Sequence, residues 1–433
     1  MSIALTAVIL FAVFFLLLAI SVPVSVSIVI ASVVTGLSSL NWEQLSFIIM
    51  QKMNSGVESF SLLAVPLFIL AGNIMNNGGI ARRMINFAKL FCGFIPGSLA
   101  QTNVLGNMLF GSLAGSAVAA ASAMGGSIAP IQKEEKYDMA FATAVNIASA
   151  PTGLLIPPTS AFIVYSTVVG GVSISALFMA GYIPGILMGL GVMAVAYLYA
   201  RSRKYPTTGV VPAKVALKVT LDALPSFLLI VIVIGGIVSG VFTATEGAGV
   251  CVVYCLFLSV LYRSITYKSF MKILVDSACV SGIILFLISA SSAMSWVMAF
   301  SGIPAAIAEA LTSISDNKYV IFFLINIILL LIGMFMDITP AILIFTPIFL
   351  PICTSLGMDP VHFGVMLIFN MCIGSMTPPV GSVLFVGCGI TKMSIERVSA
   401  MLVPYFLVLI AILMLITYVP AISLAIPQAL GLM

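Results

Sequence analysis

Long apolar segments recur along the whole chain, separated by short polar or basic connections. A helix needs about 20 apolar residues to cross about 30 Å of hydrocarbon, and these segments reach that length without the alternation of barrel strands. The pattern also contains a basic amphipathic stretch at 81–92, predicted to lie along the membrane interface, and a short arm at 303–312. Spanning helices are predicted at 3–20, 22–40, 59–75, 175–200, 223–240, 245–262, 273–300 and 398–419.

Four further apolar segments are interrupted. Segments 139–170 and 362–390 contain Pro157-Pro158 and Pro378-Pro379, and paired prolines remove two amide donors and disfavour a continuous helix. Segment 96–130 is interrupted by the small residues of 111–120, and segment 320–351 is interrupted at 333–340. Lipid cannot satisfy the freed backbone groups, so such breaks line cavities or are packed in protein. The pattern predicts two broken helices and two re-entrant hairpins, although residues 111–120 also suit a helix-packing face.

The chain is a repeat. Five features recur 221 positions later, and under that offset the break at 112–116 falls on 333–337. We therefore predict a first repeat at 1–200, a basic cytoplasmic linker at 201–218 and a second repeat at 219–433. Five spanning segments and one hairpin per half make the second repeat inverted. The matched features are Pro130 with Pro351, Asp138 with Asp359, Gly153 with Gly374, Pro157-Pro158 with Pro378-Pro379, and Ser173-Ile174 with Ser394-Ile395.

Charge and composition agree with this architecture. The 433 residues are 62% hydrophobic and 7% charged, which excludes a soluble globular protein and indicates an integral membrane protein. A cytoplasmic linker places 15 of the 17 Lys and Arg on the inside, all but Lys52 and Lys318. One histidine and seven scattered cysteines lack metal-ligand spacing, and no nucleophile is paired with a base. The sequence therefore predicts neither an enzyme nor a nucleic-acid partner.

The four breaks are predicted to converge near the bilayer midplane. Freed carbonyls and helix C-termini suit Na⁺, and helix N-termini suit an anionic substrate. We predict Na⁺ at two or more sites, one per half, held mainly by backbone oxygen with hydroxyl help from Ser112, Thr159 and Thr377. The predicted metal-binding residues are Ser112, Gly153, Ile156, Pro157, Gly333, Gly374, Thr377 and Val380. The predicted substrate-binding residues are Ser116, Asn146, Thr159, Asp337, Thr339 and Gly381.

Asp337 is the sharpest single candidate, because an ionisable group at a membrane break costs roughly 2.5 kcal/mol or more unless it is paired or hydrated. It either caps the second half-helix or contacts an ion or the substrate. Capping is the preferred interpretation, because Thr339 and Pro340 follow it. Glu246 is likewise interpreted as a helix cap. Asn146 and Asn370 precede the two breaks, and each bonds freed backbone or reaches a ligand.

At these residues the chain resembles the large membrane subunit of TRAP (tripartite ATP-independent periplasmic) transporters, of the dicarboxylate-transporter large-subunit type. The resemblance implies an all-α elevator-type transporter in a bacterial inner membrane, driven by a Na⁺ gradient. It also implies two partners: a small four-helix membrane subunit, and a periplasmic binding protein that delivers an organic acid. The matching segments are 61–72 (SLLAVPLFILAG), 111–119 (GSLAGSAVA), 156–159 (IPPT), Thr245-Glu246, 359–364 (DPVHFG) and 374–381 (GSMTPPVG).

The chain departs from the family pattern at one position, and several alternative functions stay open. Many family members carry Asp where this chain has Ala120, which leaves the hydroxyls of Ser112 and Ser116 at the first hairpin. A channel would arrange several repeats around a pore axis. A single inverted pair of repeats argues against a channel. A proton-coupled or stand-alone organic anion transporter stays open through Asp337 and Glu246. The sequence does not distinguish sialic acid, sugar acids and C4-dicarboxylates as substrates.

Overall fold

A computed structural model describes residues 2–77, 79–207, 209 and 212–433, and all regular structure within these ranges is helical. Two 3₁₀ turns, Phe60–Leu63 and Ala150–Leu154, accompany the α-helices. The helices are α1 Ile3–Ala19, α2 Val24–Gly36, α3 Trp42–Ser55, α4 Ala64–Asn77, α5 Ile80–Cys92, α6 Ser98–Ala114, α7 Ala117–Glu134, α8 Met139–Ser149, α9 Ser160–Val169, α10 Ile174–Ser202, α11 Ala213–Val238, α12 Ala244–Leu261, α13 Tyr267–Phe300, α14 Ile303–Ile314, α15 Lys318–Gly333, α16 Ile338–Ser355, α17 Pro360–Gly374, α18 Ser382–Thr391, α19 Ile395–Tyr418 and α20 Ala421–Ala429.

Seven helical stretches of the described chain are long and apolar enough to cross a membrane, and several shorter apolar helices accompany them. The long stretches include neither arm of hairpin one nor either broken helix: the broken helices and α6 are shorter, and α7, with many small residues, is less apolar. The chain is therefore a multi-pass membrane protein. The seven stretches are Phe60–Asn77, Ile174–Ser202, Ala213–Val238, Ala244–Leu261, Tyr267–Phe300, Ile338–Ser355 and Ile395–Tyr418.

All four predicted interruptions are present. In hairpin one, α6 ends before Gly115, whose φ of +59° is in the left-handed region that glycine adopts easily, and α7 begins after Ser116. In hairpin two, residues 334–337 separate α15 from α16. The two broken helices are α8 with α9 and α17 with α18, and both contain a cis Pro-Pro bond. The chain thus turns at residues 115–116 instead of forming one continuous packing face.

Close glycine contacts join each hairpin to the broken helix of its own half. A Cβ atom added to Gly153 would lie 2.5 Å from the Gly111 Cα, and one added to Gly374 would lie 2.5 Å from the Gly333 Cα. Any side chain at these positions would push the two backbones apart. The sequence therefore has glycine at both positions of each crossing, and both crossings are at the breaks.

The second arm of each hairpin packs against the broken helix of the other half. Helix α7 of hairpin one packs on α18 of the second broken helix, and α16 of hairpin two packs on α9 of the first. At the centre the Cys372 thiol lies 3.5 Å from the Pro151 carbonyl oxygen, and these two positions are 221 apart in sequence. Residues matched by the repeat offset are thus in contact with one another. We call α6–α10 and α15–α20 the core group.

The remaining helices, α1–α5 and α11–α14, form a second set that we call the scaffold group. Helix α4 packs against α12, and α13 packs against α2 and α3. The two groups meet where α4 and α5 contact α6, where α4 contacts α9, and where α13 and α14 contact α16. One wall of each hairpin therefore faces scaffold helices.

The helix ends around the predicted linker differ from the prediction, and one helix was not predicted. Helix α10 continues to Ser202 and α11 begins at Ala213, so the irregular linker is shorter than 201–218; residues 208, 210 and 211 lie outside the described residues. Lys214 and Lys218 lie on α11, because long basic side chains can extend from the end of a spanning helix to water. Helix α3 was not predicted, because polar and charged residues interrupt its apolar positions.

Candidate substrate and ion site at the helix breaks

A cavity of about 500 Å³ lies where the four breaks meet. Both hairpins and both broken helices contribute to its wall, and the scaffold helices α4 and α13 close the opposite side. We call it the tip cavity. Its polar lining residues are Asn73, Asn76, Ser116, Ser122, Ser160, Asp337, Thr339, Ser375 and Ser382.

Four helix N-termini converge on this cavity. The first turns of α7, α9, α16 and α18, which begin at Ala117, Ser160, Ile338 and Ser382, all contribute lining residues. The first amides of a helix have no intrahelical acceptor, and a helix N-terminus carries about half a positive elementary charge. No Lys or Arg lies on the described lining of the cavity. The backbone itself therefore makes this site attractive to an anion.

Asp337 provides the one carboxylate among the described lining residues. It occupies the N-cap position of α16, but its side chain makes no capping hydrogen bond, so the preferred capping interpretation was wrong. Instead the Ser382 hydroxyl donates to Asp337 Oδ1 at 3.3 Å, which joins the start of α16 to the start of α18. The Asp337 side chain is exposed and lines the cavity.

The first break is buried. Ile156 is 8% exposed, Pro157 and Pro158 are buried, and no described donor bonds the carbonyl oxygens of Ile156 or Pro157. Buried carbonyls normally have a partner. On hairpin one, next to the crossing of Gly111 and Gly153, the Ser112 hydroxyl donates to the Leu109 carbonyl at 2.9 Å, which leaves its lone pairs available. This group of oxygens has the chemistry that a small hard cation prefers.

A backbone hydrogen bond joins the second break to hairpin two, and another lies within the break. The Val380 amide donates to the Met334 carbonyl at 3.2 Å, and the Gly381 amide donates to the Thr377 carbonyl at 3.1 Å. The Thr377 hydroxyl donates to the Ile373 carbonyl at 2.7 Å. The loop is nevertheless open, because Val380 is 50% exposed. Among the predicted metal-binding residues, Gly333 thus contacts Gly374, whereas in the first half the contact is between Gly153 and Gly111, the residue before Ser112.

Only half of the predicted substrate-binding residues lie on the tip cavity. Ser116 and Thr339 line it with Asp337, whereas Asn146, Thr159 and Gly381 do not. Thr159 is fully buried and caps α9 by accepting from the Ala161 amide at 3.2 Å. Gly381 packs against the Ser375 and Thr377 carbonyls, so it has no room for a ligand on that side.

Asn146 is buried between the helices of the first half. Its Nδ2 donates to the Ala121 carbonyl at 2.9 Å, and its Oδ1 accepts from Asn107 Nδ2 at 3.1 Å. In the second half Asn370 Nδ2 donates to Asn326 Oδ1 at 2.7 Å. In each half, therefore, a carboxamide of the hairpin's first arm bonds a carboxamide of the broken helix, behind the cavity instead of in it.

Sequence reasoning missed the residues that α4 contributes. Asn73 and Asn76 lie on the lining, three positions apart in a helix whose one other polar residue is Asn77, at its end. That spacing puts them on one helix face and was a readable signal. Glu246, by contrast, lies outside the lining, and its predicted cap is confirmed: its carboxylate accepts from the Thr243 amide and hydroxyl, both at 2.8 Å.

Comparisons with known proteins identify the family. Residues 11–422 match the family model described as the tripartite ATP-independent periplasmic transporter, DctM component. A Salmonella typhimurium protein described as uncharacterized YgiK is 51% identical over 97% of both chains. The C4-dicarboxylate TRAP transporter large permease DctM of Rhodobacter capsulatus is 35% identical over 99% of this chain and all of its own. The sialic acid TRAP transporter large permease SiaM of Vibrio cholerae is 36% identical over 87% of this chain and 88% of its own.

A solved structure extends the likeness to the fold. The YdaH transporter of Alcanivorax borkumensis superposes with a TM-score of 0.61 over 87% of this chain and 89% of its own, at 14% sequence identity. That identity supports the fold alone. Because the family model covers nearly the whole chain, this protein belongs to the DctM family of TRAP transporter large permeases, and is a multi-pass transport protein of a bacterial transporter, not an enzyme.

Proposed function

We propose that this subunit carries an organic acid across the bacterial inner membrane together with Na⁺. The observation that supports this best is the convergence of four helix N-termini on one cavity without a described Lys or Arg. Such a site favours an anion through fixed backbone dipoles, and those dipoles need no reorganisation when the anion binds. A cavity of about 500 Å³ is within the range of small-molecule sites.

Na⁺ binds, in this proposal, at the two breaks. The unbonded carbonyls of Ile156 and Pro157 with Ser112 form the first site, and the Gly333 and Gly374 crossing with Thr377 forms the second. Backbone carbonyls and hydroxyls are hard oxygen donors that replace the hydration shell of such a cation. Two cations behind the helix N-termini also add positive charge toward the substrate. Na⁺ binding and anion binding would therefore strengthen each other.

Transport follows an elevator mechanism in which the core group moves against the scaffold group. The exchanged packing of α7 on α18 and α16 on α9, and the contact between Cys372 and Pro151, support an inverted repeat with its axis through the core group. The glycine crossings and buried carboxamide pairs link each hairpin to its broken helix. The core group would then move as one body and carry the tip cavity with it.

Substrate and partners are proposed from the relatives. Curated relatives are named for C4-dicarboxylate, sialic acid and 2,3-diketo-L-gulonate. We propose an acid of this class, delivered by a periplasmic binding protein, with a small four-helix membrane subunit beside this chain. The test is uptake by proteoliposomes that contain both membrane subunits and the binding protein. Uptake of a candidate acid that requires an inward Na⁺ gradient supports the proposal, and equal uptake with choline in place of Na⁺ contradicts the coupling.

Proton coupling is the second candidate, and the exposed carboxylate of Asp337 on the tip cavity favours it. A proton would enter on Asp337 while the acid binds. The two candidates differ in one measurement. Uptake driven by an inward proton gradient in choline, and abolished by Asp337→Asn, would establish the proton mechanism; its absence in choline excludes it.

A further inference from the structure

The scaffold wall of the tip cavity is apolar apart from two carboxamides. Helices α4 and α13 contribute Phe68, Ile69, Val280 and Ile284 to the lining, together with Gly72, Asn73 and Asn76. These carboxamides face a wall of entirely different chemistry, made of helix N-termini and hydroxyls. The two ends of a bound molecule would therefore meet different groups.

Helix α4 passes directly beside hairpin one. A Cβ atom added to Gly72 would lie 2.8 Å from the Ala114 carbonyl oxygen, so glycine allows the helix to approach the hairpin tip. Asn73 follows immediately, and Asn76 is on the same face one turn later. This close approach places both carboxamides opposite the start of α7, within the reach of one small molecule.

The hydrogen bonds of the two asparagines leave groups available. Asn73 Nδ2 donates to Ser277 Oγ of α13 at 2.8 Å, which holds that side chain at the wall. Asn76 is exposed, and its side chain forms no hydrogen bond with any described residue. A free carboxamide in an apolar helix, facing a cavity, offers two donors and one acceptor to a ligand.

We propose that Asn73 and Asn76 bind the end of the substrate that lies away from the helix N-termini, and that this end is uncharged and hydroxylated. The inference rests on the proposed function, because it places the carboxylate end at the N-termini. Carboxamides pair with hydroxyls as both donor and acceptor. A second carboxylate there would meet no cation of the described lining and would share the cavity with the Asp337 carboxylate. The favoured class is therefore a hydroxylated monocarboxylate of the sugar-acid kind.

The test is equilibrium binding of four probes to the purified full chain in NaCl and in choline chloride. Sialic acid and D-gluconate represent hydroxylated monocarboxylates, and succinate and adipate represent dicarboxylates. We expect a hydroxylated monocarboxylate to bind most tightly in Na⁺. Asn76→Ala should weaken that binding about 5- to 10-fold, the effect of about one hydrogen bond, and Asn76→Gln should restore part of it. The Na⁺ concentration for half-saturation, measured without any acid, should not change, because Asn76 is not part of either proposed Na⁺ site.

Asn77→Ala is the matched control. Asn77 is the next residue, is also exposed, and lies outside the described cavity lining, where its side chain bonds the Asn73 carbonyl. It should bind all probes as the wild type does. Tightest binding of a dicarboxylate in Na⁺, or equal losses in Asn76→Ala and Asn77→Ala, overturns the inference and leaves the proposed function intact. Absence of Na⁺-dependent binding of all four acids counts against both.

Discussion

The two broken helices carry the same Pro-Pro signature but differ in burial. Thr159 of the first break is fully buried, whereas Val380, its match at the 221 offset, is 50% exposed. The difference comes from the helices that cover them. Helix α10 lies on the first break through Gly181 and Gly185, where added Cβ atoms would lie 2.2 Å from the Leu155 carbonyl oxygen and 2.5 Å from the Ile156 side chain.

Helix α19 has no such glycines. The offset matches Gly181 with Leu402 and Gly185 with Phe406, and side chains of that size do not permit the close backbone approach that the glycines of α10 allow. Repeated motifs therefore fix where the chain breaks, and residues outside the motifs fix how much of each break water can reach. In the first half the break is part of a packed interior; in the second it is an open loop beside the tip cavity.

Gly181→Leu should have the largest effect on stability, because it places on α10 the residue type that the second half has at the matching position, Leu402. The added side chain would overlap the Leu155 carbonyl and Phe162, forcing α10 off the first break. We expect a loss of about 3 kcal/mol or more in folding free energy, measured as a fall in thermal stability of the purified chain. Gly126→Leu on α7 is the control, because no atom lies within 4 Å of its added Cβ. Equal stability of Gly181→Leu and wild type would refute the covering role of α10.

Thr377→Val tests the open break as an ion site. The hydroxyl bonds only the Ile373 carbonyl among described residues, so its removal should change stability by less than about 0.5 kcal/mol. If it coordinates Na⁺, the Na⁺ concentration for half-maximal uptake should rise about tenfold, equivalent to about 1.4 kcal/mol. Uptake is measured against Na⁺ concentration, with Thr377→Ser as the variant that keeps the hydroxyl. An unchanged Na⁺ response would remove Thr377 from the site.

Thr159→Val and Val380→Ala compare the packing of the two breaks directly, and their expected effects on stability are the smallest. Thr159→Val removes the cap of α9 at a buried position and should cost about 1 kcal/mol. Val380→Ala changes an exposed side chain and should stay within about 0.5 kcal/mol. Thermal unfolding of both variants, in detergent of one composition, gives the two values. Similar losses at the two positions would show that the breaks are equally packed.

The position of the breaks was predictable, because it depends on local covalent chemistry. Pro157-Pro158 and Pro378-Pro379 lack amide donors in any surroundings. The 221-residue repeat offset then located the hairpin turns. The predicted turn at 112–116 includes the observed one at Gly115 and Ser116. The predicted metal-binding residues cluster for the same reason, since most of them belong to the breaks themselves.

The lining of the cavity was less predictable, because it depends on contacts between distant residues. Asp337 was interpreted as a cap from its neighbours, but its partner Ser382 is 45 positions away. Asn146 was near a break in sequence, yet its side chain bonds Ala121 and Asn107 behind the cavity. The amides of α4 enter the wall only because Gly72 allows contact with Ala114. The spacing of Asn73 and Asn76 shows that they share a helix face, but not which wall that face joins.

The claim that an organic acid binds in the tip cavity together with Na⁺ at the breaks is tested most directly by labelling Thr339→Cys with a maleimide. Thr339 lines the cavity, and Cys279, the exposed cysteine among those described, is first replaced by Ser. The account predicts that the acid slows labelling when Na⁺ is present and has no effect when choline replaces it. Protection of equal size in choline, or no protection under either condition, would contradict it.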